Sequence, residues 1–154
     1  MTLHTYDDIE IGDSDEFGDY LVTKEEIIEF AQKYDPQPFH LDEDFAKKTH
    51  FGALCASGWM TCGIMMRLIC ENVFTNSSAV GSPGVENVNW HKPVFAGDRL
   101  SVRAKTVDKR LSKSKPYLGT VKVSVEVLNQ HKDVVLTLQP TVLYLTREGA
   151  ATLM

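Results

Sequence analysis

The chain has 154 residues, 43% hydrophobic and 24% charged, with a formal net charge of −5. That is one ordinary globular domain, large enough to bury a core without disulfides or metal. The composition excludes a disordered chain, a collagen-like repeat and a small disulfide scaffold, and no apolar run approaches the length of a membrane span. The first residues are acidic and lack the basic-then-apolar order of a signal peptide, so a soluble, cytoplasmic protein is expected.

Residues 1–50 carry 14 acids against four Lys and Arg, whereas residues 51–154 carry seven against 12. The basic excess peaks between Arg99 and Lys115. A patch of that size suits the phosphates of a nucleotide-tailed ligand, with Lys113 and Lys115 at its tip, or it is a solvated strand face. The acidic balance argues against general nucleic-acid binding.

In chain order, Gly12-Asp13 and Gly18-Asp19 punctuate a loop and a strand ending near Val22. Thr23 followed by Glu26 reads as a capping box. Ile27, Ile28, Phe30, Ala31 and Tyr34 form the apolar stripe of a helix. That helix must stop at Asp35, because Pro36 disfavours the helical conformation for the residue before it. Pro38 is expected to prevent an early restart. A short helix over Asp42–Lys48 follows, with Phe45 and Ala46 inward. Ser57-Gly58 then opens a helix running from Trp59 to about Phe74. It is apolar nearly all round and therefore enclosed on most sides. Trp59, Met60, Met65 and Met66 read as core rather than as a cofactor box. Cys55, Cys62 and Cys70 are spaced to share one helix face as buried free thiols, with no zinc-like spacing.

After the Gly81-Ser82-Pro83-Gly84 turn the pattern changes to strands. Val85, Val88 and Trp90 begin the first; Leu100 to Thr106 alternate in the second; Val121 to Val127 alternate in the third; Val134–Leu145 make the fourth. Gly97-Asp98 and Asn129–Lys132 read as hairpin turns, and the link near Ser112–Pro116 is short, so successive strands are expected to be antiparallel neighbours. The fold class is α+β: a curved antiparallel sheet with one long apolar helix lying in it, as a single domain over 1–154.

Asp35-Pro36-Gln37-Pro38-Phe39-His40-Leu41-Asp42 is the segment that can carry chemistry. Two prolines stiffen a loop holding a carboxylate and an imidazole five residues apart. Tyr34 and Phe39 can shield the pair from water, which tunes both groups for acid–base work. The same residues also make a good turn, in which His40 would merely satisfy a backbone group. Ser57 can cap the apolar helix, and the free N–H groups at Gly58 can stabilise an oxyanion such as a thioester carbonyl. Ser57 as a nucleophile lacks the G-x-S-x-G elbow. The remaining histidines show no metal spacing, so no metal is expected.

Together these residues resemble the MaoC-like dehydratases, which include the (R)-specific enoyl-CoA hydratases. Asp35 to Asp42 is similar to the family's D-x-N-P-x-H-x-D motif, with Gln37 in place of the usual Asn. Phe51 to Gly58 resembles the segment entering the family's central helix. Trp90 to Asp98 resembles its F-x-x-P-V-x-x-G-D strand and turn. The resemblance implies a hot-dog fold and a homodimer that binds acyl-CoA near the subunit interface, without nucleic-acid or membrane partners. It places Asp35 and His40 as the catalytic dyad and the Gly58 N–H as the thioester oxygen's donor. Asp35 would orient and deprotonate water while His40 acts with it. Gln37, Ser57, Trp59, Lys113 and Lys115 are the expected substrate-binding residues, with Gln37 either bonded within its loop or reaching into the pocket. The implied activity is a hydro-lyase of acyl-CoA (fatty acid) metabolism, an enoyl-CoA hydratase or 3-hydroxyacyl-CoA dehydratase. It would need no cofactor, coenzyme A entering only as part of the substrate. A hot-dog acyl-CoA thioesterase or a non-catalytic acyl-CoA-binding protein are the alternatives.

Overall fold

The computed structural model describes residues 2–153. A 3-10 turn at Tyr6–Asp8 precedes strand β1 (Ser14–Leu21). Helices α1 (Lys24–Tyr34), α2 (Pro38–Leu41), α3 (Glu43–Lys47) and α4 (Gly58–Asn72) follow, with a second 3-10 turn at Phe74–Asn76. Strands β2 (Gly84–Trp90), β3 (Arg99–Leu111), β4 (Leu118–Leu128) and β5 (Val134–Leu145) lead to a terminal helix, α5 (Arg147–Leu153).

The strands form one antiparallel sheet in the order β1-β3-β4-β5-β2. Helix α4 buries Met60, Ile64, Met65, Leu68 and Ile69, positions four, five, eight and nine apart that make one face. That face packs against Leu100 and Val102 of β3, Val125 and Val127 of β4, and Leu136 and Leu138 of β5. Each such side chain contributes about 1.5–3 kcal/mol on burial, so this α4–sheet layer is the main stabilising contact. The sheet around a long helix is the expected hot-dog arrangement. Strand β1 reaches α4 at Gly18, whose φ is +91° and whose missing Cβ would lie 2.8 Å from Leu68.

Several expectations are corrected. The eight residues between β2 and β3 do not make a hairpin: β2 pairs with β5 at one edge, and β1 takes the free side of β3. The Gly97-Asp98 turn instead serves β1, since Val22 N–H donates to the Asp98 carbonyl and Gly97 N–H to the Val22 carbonyl. Pro38 does not block a restart; it begins α2 at the first helical position, where its missing N–H costs nothing. Phe45 is 47% exposed, while Ala46 is buried as expected. Cys55 lies before α4, and of the three free thiols only Cys55 is buried; Cys62 is half-buried and Cys70 exposed. Helix α4 is not enclosed all round, because Trp59 (62% exposed) and Met66 (45%) stand on an open face. The capping box is half-formed. Thr23 accepts from Glu26 N–H at 3.2 Å, but the Glu26 carboxylate turns to Tyr20, whose phenol donates to it at 2.6 Å.

Candidate active site

The site is built by the interruption between α1 and α3. Helix α1 ends at Tyr34, and Asp35 leaves it with φ −151° and ψ 67°. Pro38 then starts a single helical turn, and His40 N–H donates to the Gln37 carbonyl at 2.9 Å. That turn carries His40 back over Asp35, with Nε2 at 3.3 Å from Oδ2. The histidine is buried and the carboxylate largely so. Phe39 packs edge-on to the His40 ring with centroids 4.4 Å apart, and Phe51 backs Phe39 at 5.4 Å.

The partner on the other side of the imidazole is the Cys55 carbonyl, 2.7 Å from Nδ1. A carbonyl only accepts, so Nδ1 carries a proton and Nε2 is the nitrogen that meets Asp35. A bare Nε2 lone pair against a bare carboxylate would be repulsive. The two form an ion pair across the 3.3 Å gap when the imidazole is protonated.

Asp35 has further partners. Gln37 Nε2 donates to its Oδ1 at 2.6 Å. Burial pushes the Asp35 carboxyl up, but the hydrogen bonds from Gln37 and Ser57 and the positive charge of His40 outweigh it. The net direction is down, below the ordinary carboxylate range.

Ser57 caps α4 by accepting from Trp59 N–H at 3.3 Å, and it is fully buried. It does not line the cavity; its hydroxyl serves Asp35 and the helix start. The Gly58 N–H has no hydrogen-bond partner among the described residues. Trp90, at the end of β2, covers this first turn. Its indole N–H donates to the Gly58 carbonyl at 2.8 Å, and its ring meets Trp59 at 5.1 Å, edge to face. A Cβ at position 58 would lie 2.5 Å from Trp90 Nε1, so any larger residue there must displace the indole.

Asp35, Gln37, His40, Gly58, Trp59 and Trp90 all line one cavity of about 570 Å³. The structure thus brings together Asp35, His40, Gly58, Gln37 and Trp59. It does not bring Lys113 and Lys115, which lie between β3 and β4 and do not line this cavity. Nor is the basic patch one open field: Arg99 pairs with Asp19, Arg103 with Glu126, and Lys109 donates to the Tyr6 and Ile9 carbonyls. The basic side chains that do line the cavity are His50, His91 and Lys92. His91 bonds Thr137 at 2.7 Å and Lys92 pairs with Asp133 at 3.1 Å. The sequence alone assigned these no role at the site, nor Trp90; the one signal was that Trp90 to Asp98 resembles the family's strand and turn. Met65 and Met66 line a separate apolar cavity of about 340 Å³ farther along α4. Among the described residues, no three His, Cys, Asp or Glu side chains are grouped to hold a metal ion.

This geometry coincides with a known family. Residues 9–129 match the model of the MaoC like domain. The chain belongs to the MaoC-like dehydratase family. It is 31% identical over 109 residues to the uncharacterised protein YdeM of Bacillus subtilis, covering 71% of this chain and 76% of YdeM. The MaoC-like dehydratase of Rhodospirillum rubrum superimposes with a TM-score of 0.85 at 33% identity, over 93% of this chain and 97% of that one. The R-hydratase PhaJ1 of Pseudomonas aeruginosa shares the fold, with a TM-score of 0.74 at 19% identity, over 94% of this chain and 88% of that one.

Proposed function

We propose that this MaoC-like protein is a cofactor-independent hydro-lyase that reversibly hydrates a 2-enoyl-CoA to the 3-hydroxyacyl-CoA, with (R) stereochemistry. One observation carries the reading: the Asp35–His40 pair and the free Gly58 N–H face the same cavity. The thioester oxygen accepts from Gly58 N–H at the positive end of α4. That contact draws electron density toward the oxygen and makes Cβ electrophilic. A water held by the dyad adds its oxygen at Cβ, and one of its protons passes to the pair. The enolate-like charge on the thioester oxygen collapses as Cα takes a proton from the pair. The family and the R-hydratase fold support this reaction class.

The protein is proposed to act as a homodimer in the cytoplasm. The unpaired outer side of β2 and the open face of α4 bearing Trp59 and Met66 are suited to a second copy. Among the described residues, no helix is long and apolar enough to cross a membrane.

The test follows enoyl-thioester absorbance and free thiol in parallel on crotonyl-, hexenoyl- and polar branched enoyl-CoA. Absorbance loss without thiol, abolished in Asp35→Ala, is the expected result. Thiol release would indicate a thioesterase. Binding with neither signal would indicate a non-catalytic acyl-CoA carrier.

A further inference from the structure

The hydration chemistry leaves one question about the dyad: which member carries a proton before water attacks. The Asp35 carboxylate has two oxygens with different partners. Oδ2 faces His40 Nε2, and Oδ1 receives the Gln37 amide N–H at 2.6 Å. Gln37 is placed for this by the backbone, since its own N–H donates to the Asp35 carbonyl at 2.8 Å. The extra methylene of Gln therefore folds back within the loop. A neutral amide that donates to a carboxylate favours the ionised form.

We propose that Gln37 is a positioning residue that sets the protonation of the dyad: its amide holds Asp35 as the carboxylate and leaves the dyad's proton on His40 Nε2. This rests on the hydratase reading and divides the roles within it. In the hydration direction, Asp35 takes the proton of the attacking water as the O–Cβ bond forms. The Cα–Cβ π pair becomes the enolate, which takes the His40 Nε2 proton at Cα. Asp35 then returns its new proton to Nε2, and the pair is reset with no net change.

The other groups around the carboxylate do not supply this bias in the same way. Ser57 also donates, but its hydroxyl is shared with the helix cap. The Cys55 thiol lies behind the imidazole, 3.8 Å from Nδ1. His50, His91 and Lys92 line the same cavity, the last two being held by Thr137 and Asp133. Arg and Lys contacts to Asp35 are absent among the described residues.

The experiment compares wild type with Gln37→Leu, which removes the donor, and Gln37→Glu, which replaces it by a second carboxyl group. Gln37 is exposed, so both variants are expected to fold, and thermal unfolding checks it. The acid limb of the kcat/KM profile is expected to move up by about one pH unit in Gln37→Leu and further in Gln37→Glu. Below the shifted limb that is roughly a tenfold loss, with KM changed less than about twofold. Carbon-13 NMR titration of the Asp35 carboxyl without substrate is expected to show the same order. A KM rise with an unmoved limb would make Gln37 a substrate ligand and overturn the proposal. An unmoved carboxyl titration in an enzyme that turns over enoyl-CoA would overturn it while leaving the hydratase reading intact. A moved titration in a protein that hydrates no enoyl thioester would uphold the assignment of Gln37 to Asp35 and refute the hydratase reading and the catalytic division of roles with it.

Discussion

Replacing Gly58 by Ala tests the helix start proposed to supply the oxyanion donor. The added Cβ would sit 2.5 Å from Trp90 Nε1, 2.6 Å from Cε2 and 2.9 Å from Cδ1. The indole cannot keep its place. It must move by the better part of an ångström, which breaks the 2.8 Å bond to the Gly58 carbonyl and disturbs the Trp59 contact. Overpacking of this kind costs about 1–3 kcal/mol and the lost hydrogen bond about 1 kcal/mol more. For a domain of this size the sum lowers Tm by roughly 6–12 °C. Ala keeps the backbone N–H, so kcat is expected to fall by less than the roughly 10²–10³-fold that losing one oxyanion donor costs. Calorimetry gives the first number and enoyl-CoA turnover the second. Trp59 and Trp90 are the only tryptophans, so intrinsic fluorescence reports the displacement directly. Gly58→Ala combined with Trp90→Leu should recover stability relative to Gly58→Ala alone, because the clashing ring is gone. An unchanged Tm and emission spectrum in Gly58→Ala would refute the close approach on which the reasoning depends.

Asp35→Ala and His40→Ala are each expected to lower turnover by roughly 10²–10⁴-fold with folding retained, and the two losses should fall well short of additive. Normal turnover in either variant counts against the dyad. Lys113→Ala with Lys115→Ala is expected to leave KM for CoA substrates within about twofold, because neither residue reaches the cavity; a tenfold rise would mean that a second copy carries this hairpin to the cavity mouth. Asp35 also predicts a stability effect. Its folded carboxyl lies below the ordinary range, so the ionised form stabilises the fold; that contribution is complete above the unfolded value, about pH 3.9, and is lost as pH falls through the folded one. Asp35→Asn should therefore flatten the loss of unfolding free energy in urea titrations as pH falls below about 4. An acid dependence identical to wild type would contradict it.

Elements set by local patterns were legible from residues alone. Pro36 ends α1 where expected, Ser57 caps α4, and the alternating valines of β4 point into the core. The expected loop after Asp35 was only half right, because Pro38 excludes helix in its interior but favours it at the first position. Local pattern cannot say which of those positions a proline takes. Short connections suggested that β2 and β3 were neighbours, yet β2 crosses to β5. Strand order depends on which edges remain open once β1 has paired with β3, and that is a long-range decision.

The division at the site follows the same physics. Sequence alone determined the residue types and their spacing: a carboxylate and an imidazole on a proline-stiffened turn, and a capped glycine at the start of an apolar helix. Those features depend on backbone preferences over a few residues. Only the tertiary structure decided what each group touches. Cys55, 15 residues away, sets the tautomer of His40; Trp90, 32 residues away, must be displaced by any larger residue at 58; and the Lys113–Lys115 tip is left out of the cavity. Such contacts are fixed by how the sheet folds around α4, because side chains distant in sequence meet only when the shared core brings their elements together.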